Sequence, residues 1–340
     1  MGTRNTGSPN GPSLLKAYLR GPAANTGPLT ATALRRATRQ AAWQVQAFYL
    51  FFLLLSFDMM RRVYALVGTD QVVTPLWPVA WVTRTGLDAA ATTICGMLMI
   101  SALAALWRPY DWWPRLLAAV SLLQGVALMH SFGSINHSLH YPLWVAFLML
   151  LAPAARAPEG TTSISTHMRW LIAIFTTQVA VALFYTLSGL HKLYYGFFPN
   201  DVSSFAPEAL PLLVMNRWYE TGNEPMLAAL FADNLALAWP AYLLVIYFEL
   251  VFLVAVFRPQ LHRIFGFVFV VFHTGVWLVI GITFPYQPIM VALLFLWSPF
   301  AEMERLSLRQ LIAQLPGVDL IVWAIRRRAR GLTADAPVSG

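Results

Sequence analysis

The chain has 340 residues, of which 58% are hydrophobic and 11% charged, with a formal net charge of +8. A soluble domain carries roughly 25% charged residues, so the composition excludes a soluble enzyme and points to an integral membrane protein with little mass outside the bilayer. The positive side chains fall in an N-terminal arm, in short loops and in Arg326-Arg327-Arg328. That pattern orients a protein in a membrane, and nucleic acid is not an expected partner.

Residues 1–38 are rich in Gly, Pro, Asn and Thr and too polar for a signal peptide, so they read as a disordered basic cytoplasmic arm. Residues 39–300 form the transmembrane domain. A spanning helix needs roughly 20 apolar residues. Stretches that qualify lie at 41–57, 87–107, 116–132, 139–155, 170–190, 235–257, 264–282 and 285–300. Arginines place the arm, the loops with Arg108 and Arg115, Arg156 and Arg169, and Arg258 and Arg263, and the tail on the cytoplasmic side. The long loop at 194–234 carries Asp201, Glu208, Glu220, Glu224 and Asp233 against Arg217, and reads as outside. Arg61, Arg62 and Arg84 fit an outer first loop poorly. Within the long loop, 211–215 and 225–231 read as short interfacial helices with Trp218 and Tyr219 between them. Residues 301–340 are expected to be an amphipathic surface helix and a basic tail. The fold class is therefore all-α: a polytopic bundle of about eight spans, with short interfacial helices and both termini cytoplasmic.

Of 23 basic side chains only two are lysines, Lys16 in the arm and Lys192 at the end of a long apolar run. A desolvated lysine can release its proton, whereas arginine cannot. The structural alternative is a snorkelling lysine that marks a helix end. The arginine count puts Asn136, His137, His191 and Lys192 in the outer leaflet, where they can share one pocket. Glu249 and His273 sit deeper and read as a possible pair, while His130, Gln124 and Gln178 read as interhelical glue. His137, His140 and His191 match no established metal spacing, and no metal is expected. Haem ligation by His130 and His273 is the redox alternative, though nothing selects that pair. The lone cysteine, Cys95, leaves no intrachain disulfide and no thiolate metal site. A small transporter would show broken Gly/Pro helices in paired halves, which are not seen.

Asn136-His137-Ser138 opening one span, and Tyr185-Thr186-Leu187-Ser188-Gly189-Leu190-His191-Lys192-Leu193 closing the next, resemble vitamin K-dependent gamma-glutamyl carboxylase. They also resemble the wider bacterial HTTM (horizontally transferred transmembrane) family that shares its membrane domain. Tyr247-Phe248-Glu249-Leu250 and Phe272-His273 fit the later helices, so the resemblance covers roughly 39–299. It implies a site for reduced vitamin K or menaquinol. Lys192 would be the base, His137 the stabiliser of the resulting anion and Asn136 the orienting amide. In that family the deprotonated cofactor reacts with oxygen to give an epoxide and a base strong enough to take a glutamate γ-proton, and CO2 then adds. Tyr185, His191 and His273 are the further cofactor-binding candidates.

The resemblance thus implies a quinol-epoxidising, carboxylase-like lyase of the inner or plasma membrane. Its partners would be lipid, a quinone and a separate extracytoplasmic protein substrate. The family's second lysine is His191 here, and its large substrate-gripping domain has no counterpart in these residues. A non-catalytic module for lipid or quinone binding, or for anchoring a partner, is the alternative.

A free lysine near 10.4 stays protonated at neutral pH, whereas burial lowers its proton affinity towards that of a quinol hydroxyl, near 10. A neutral histidine suits a developing phenolate as an oxyanion-hole donor does.

Overall fold

The computed structural model describes residues 31–67, 73–133, 137–154, 163–301, 312–322 and 324–325. Every regular element among them is helical. Helix α1 spans Ala31–Val67 and, after a short 3-10 turn and the one-turn α2 (Val82–Thr85), α3 spans Leu87–Trp107 and α4 Trp112–His130. The shorter α5 (His140–Leu148) ends in a 3-10 turn. Helix α6 runs from Ile164 to Phe197, followed by α7 (Ala209–Thr221), α8 (Ala228–Asp233), α9 (Leu235–Val256) and α10 (His262–Ile280). Helix α11 (Gln287–Val291) widens into a π-helical turn at Ala292–Leu296.

Among the described residues, five helical segments are long and apolar enough to cross a membrane: Leu87–Trp107, Trp112–His130, Ile164–Phe197, Leu235–Val256 and Pro259–Ile280. They mark the chain as a multi-pass helical membrane protein. Two further apolar segments, His137–Leu151 and Gln287–Leu296, are shorter. They fall where the sequence suggested full spans at 139–155 and 285–300. The last of these follows an irregular stretch at 281–284 that opens with Gly281 in the left-handed region, and its helix changes pitch at Ala292.

Helix α1 packs along α3, α3 along α4, and α6 along α9, while α1 and α6 touch and join the two groups. One continuous apolar core runs from Ala41 to Phe295 through all of these helices. Amide side chains secure the irregular turn. Gln44 Nε2 donates to Leu293 O (2.8 Å) and Gln178 Nε2 to Leu294 O (2.6 Å), covering carbonyls near the change of helix pitch. Gln178 is thus the interhelical glue expected of it.

Several sequence expectations shift. The arm was expected to stay disordered to residue 38, yet α1 begins at Ala31 and takes in Arg35 and Arg36. Ala, Leu and Arg are strong helix formers, and the apolar run behind them supplies the packed length on which their turns propagate. Arg115, read as a loop charge, lies in α4 and is fully buried. It donates to Met149 O (3.2 Å) and Ala152 O (2.7 Å), carbonyls at the end of the α5 unit.

The two short helices expected in the long loop are present as α7 and α8. Trp218 and Tyr219 lie within α7 rather than between the two. The expected surface helix at 301–315 falls largely outside the described residues. Beyond it, the chain docks back on α9 and the turn after it: Tyr247 donates to Pro316 O (2.8 Å), and Arg258 Nη2 to Asp319 Oδ2 (2.8 Å).

Candidate functional site

On α6, Tyr185, Ser188, Gly189 and Lys192 are spaced three, four and seven residues from the first, so they share one face. That face meets α9 unusually closely. A Cβ on Gly189 would lie 2.7 Å from Leu250 N and 3.0 Å from Glu249 Cβ. Only glycine allows this approach. One turn before, the Thr186 hydroxyl donates to Glu249 O (3.1 Å) and accepts from Leu253 N (3.1 Å). It stands between two groups that an unbroken helix would join to each other.

The seam presents Glu249 to Lys192. Lys192 Nζ donates to Glu249 Oε2 at 2.6 Å, to Oε1 at 2.9 Å and to Ser188 Oγ at 2.8 Å. Ser188 also donates to Glu249 Oε1, at 3.3 Å. The Glu249 side chain is 3% exposed and that of Lys192 23%. Two charges removed from water hold only if their geometry and hydrogen bonding are good, and here each satisfies the other.

The pair faces a cavity of about 480 Å³, within the size range of small-molecule sites. Its walls are almost wholly apolar, with Tyr242, Val276 and Phe284 among them. Leu210 and Leu213 of α7 and Phe231 of α8 close one side. These short helices are held by a small cluster of their own, built on Leu210, Val214, Ala228, Ala238, Val279 and Ile280. A second polar station on the wall is a dyad in which Tyr185 Oη and His273 Nε2 stand 2.6 Å apart, joining α6 to α10. His273 Nδ1 and Gln287 Oε1 are buried on the same wall without a hydrogen-bond partner among the described residues.

The structure therefore brings together Lys192, Tyr185 and His273 of the sequence candidates. It does not bring His137 or His191 into the cavity wall. His137 is exposed, its ring against His140 at 5.1 Å between centroids, and His140 in turn meets His130 at 5.3 Å. The exposed His191 ring packs on Tyr195 of its own helix, because one residue of offset on a helix turns it about 100° away from Lys192. Asn136 lies outside the described residues. Glu249 and His273, read as a pair, have separate partners. The paired-histidine haem alternative finds no support, since His130 meets His140 and His273 meets Tyr185. Among the described residues no three His, Cys, Asp or Glu side chains are grouped as a metal site, and Cys95 is free and buried.

Sequence reasoning found the lysine and missed its partner. The usable signal was a charge count within the spans: Glu249 is the only acidic residue of α9, and an isolated intramembrane charge needs an opposite one.

Fold and site together define a multi-pass helical membrane protein with an apolar cavity and one ion pair in its wall. No known protein family, curated protein or solved structure matches the chain.

Proposed function

We propose that the cavity binds a quinol or a similar flat, hydroxyl-bearing ring, and that Lys192 and Glu249 together handle its proton. The reading follows the resemblance to the membrane domain of vitamin K-dependent gamma-glutamyl carboxylase and the HTTM family. It includes eight spans in the plasma or inner membrane, both termini cytoplasmic and the cavity towards the outer leaflet. The observation that carries it is the Lys192–Glu249 pair, bonded at 2.6 Å on the wall of an otherwise apolar cavity of about 480 Å³.

Aromatic and aliphatic walls suit a fused ring, and the cavity volume admits one with part of its tail. A reduced quinone bound there supplies an acidic hydroxyl and, with oxygen, the oxidising chemistry of that family. The chain's own part is proton handling. Lys192 Nζ takes the hydroxyl proton as it passes one of its own to Glu249 Oε2, so the O–H bond of the ligand breaks and an O–H bond forms on the carboxyl. The Lys192 ammonium stays beside the new oxyanion. The site is neutral overall before and after, which a low-dielectric wall requires. Anion stabilisation, which the resemblance assigned to His137, falls to Lys192 in this arrangement.

The test is purified protein given reduced menaquinone and oxygen, with epoxide followed by mass spectrometry. Epoxide from the parent and none from Lys192→Arg supports the reading, since arginine keeps the charge but holds its proton. Binding without epoxide from a folded parent supports the second reading, a non-catalytic binding or anchoring module. One observation favours that alternative: Ser188 and Glu249 already engage Lys192, as they would a purely structural strap between α6 and α9.

A further inference from the structure

Lys192 and Glu249 are the only charged residues in the described cavity wall, and they cancel. The cavity is thus neutral at rest, and its one ammonium is already committed to a carboxylate. Membranes are full of amphiphiles that fit an apolar cavity by shape, fatty acids first among them. Shape alone does not keep them out.

Charge does. A carboxylate entering this cavity would share a single ammonium with Glu249, leaving one net negative charge in a low-dielectric wall. Glu249 cannot retreat into water. Its side chain is 3% exposed, and its backbone is pinned by the Thr186 hydroxyl at 3.1 Å and by the close approach of Gly189. A neutral ligand adds no charge. A hydroxyl on that ligand can donate to the Glu249 carboxylate, and an ionised carboxylate cannot.

We infer that Glu249 is a specificity-determining residue: it occupies the place of an anion beside Lys192, restricting the cavity to neutral, hydroxyl-bearing ring ligands and excluding carboxylates. The inference rests on the proposed ligand cavity but not on any oxidation occurring in it. It also predicts what happens when the built-in anion is removed. Glu249→Gln leaves an uncompensated ammonium, and the cavity then favours an anionic ligand.

The experiment compares 1-naphthol with 1-naphthoate at pH 7, by equilibrium dialysis against full-length protein in phosphatidylcholine nanodiscs, with empty nanodiscs subtracted. The parent is expected to bind naphthol about 100-fold more tightly than naphthoate, the scale set by one uncompensated buried charge. Glu249→Gln is expected to reverse the order. Equal affinity of the parent for both compounds overturns the inference while leaving the cavity as a ligand site, and needs no variant to fold. An unchanged preference for naphthol in folded Glu249→Gln overturns the assignment to Glu249. Failure of the parent to bind either compound removes both the inference and the cavity reading.

Discussion

The Tyr185 hydroxyl and His273 Nε2 lie 2.6 Å apart on the cavity wall, and this bond helps tie α6 to α10. Tyr185 also packs its ring on Phe269, at 4.3 Å between centroids, so the hydroxyl is held by a rigid ring rather than a flexible stem. Tyr185→Phe keeps the ring and removes the bond. His273 is then buried with neither nitrogen partnered among the described residues, which costs about 1–3 kcal/mol. Thermal unfolding in detergent should show a lowered midpoint, with helix content unchanged at room temperature.

Lys192 tests differently from an ordinary surface cation. Lys192→Met strands the Glu249 carboxylate in an apolar wall, an expected loss of about 3–5 kcal/mol. Lys192→Met/Glu249→Gln removes both charges and should recover most of that loss. Chemical denaturation of the parent, the single and the double variant checks this. Loss of stability in the double variant equal to that in the single would show that the pair is not what holds the seam.

Gly189 of α6 sits directly against the backbone of α9. The nearest atom to an added Cβ is backbone nitrogen, which cannot rotate aside. Gly189→Ala should therefore cost about 1–3 kcal/mol through overpacking, and Gly189→Leu should prevent the helices from closing. The readout is binding of a neutral ring ligand alongside unfolding, since a separated seam loses both.

Gln178 offers a test away from the cavity. Gln178→Leu keeps most of the side-chain volume but leaves Leu294 O and the Ser298 hydroxyl without its amide, which stands 2.6 Å and 3.0 Å from them. A loss of about 1–2 kcal/mol is expected, with ligand binding unchanged.

Five of the eight stretches were legible as spans because apolar length is a one-dimensional signal, whereas 41–57 lies in the longer, more polar α1 and is not among them. Ile164–Phe197 and Leu235–Val256 contain the stretches seen at 170–190 and 235–257 almost entirely. What stayed hidden depends on pairing in space. Arg61 and Arg62 argued against an outer first loop, yet both reach Asp58, at 2.8 Å and 2.7 Å, so they act as a partly neutralised group. Arg115 looked like a loop charge because nothing in the chain announces the carbonyls it covers. In the site, the scarcity of lysine singled out Lys192, while helix phase decided against its neighbour His191. Glu249 was visible as an intramembrane acid, but its partner depended on the seam that Thr186 and Gly189 create.

That seam is locked in three independent ways at one level: a hydroxyl set into α9, a missing side chain on α6 and an ion pair between them. Sliding or rotating α6 against α9 would break all three at once. The opposite side is held far more lightly, by the small apolar cluster beneath α7 and α8. On the proposed function, a ligand would enter and leave past those two short helices, the side with least to break. The seam would then serve as the fixed jamb, and the proposed ligand would meet charges that have not moved.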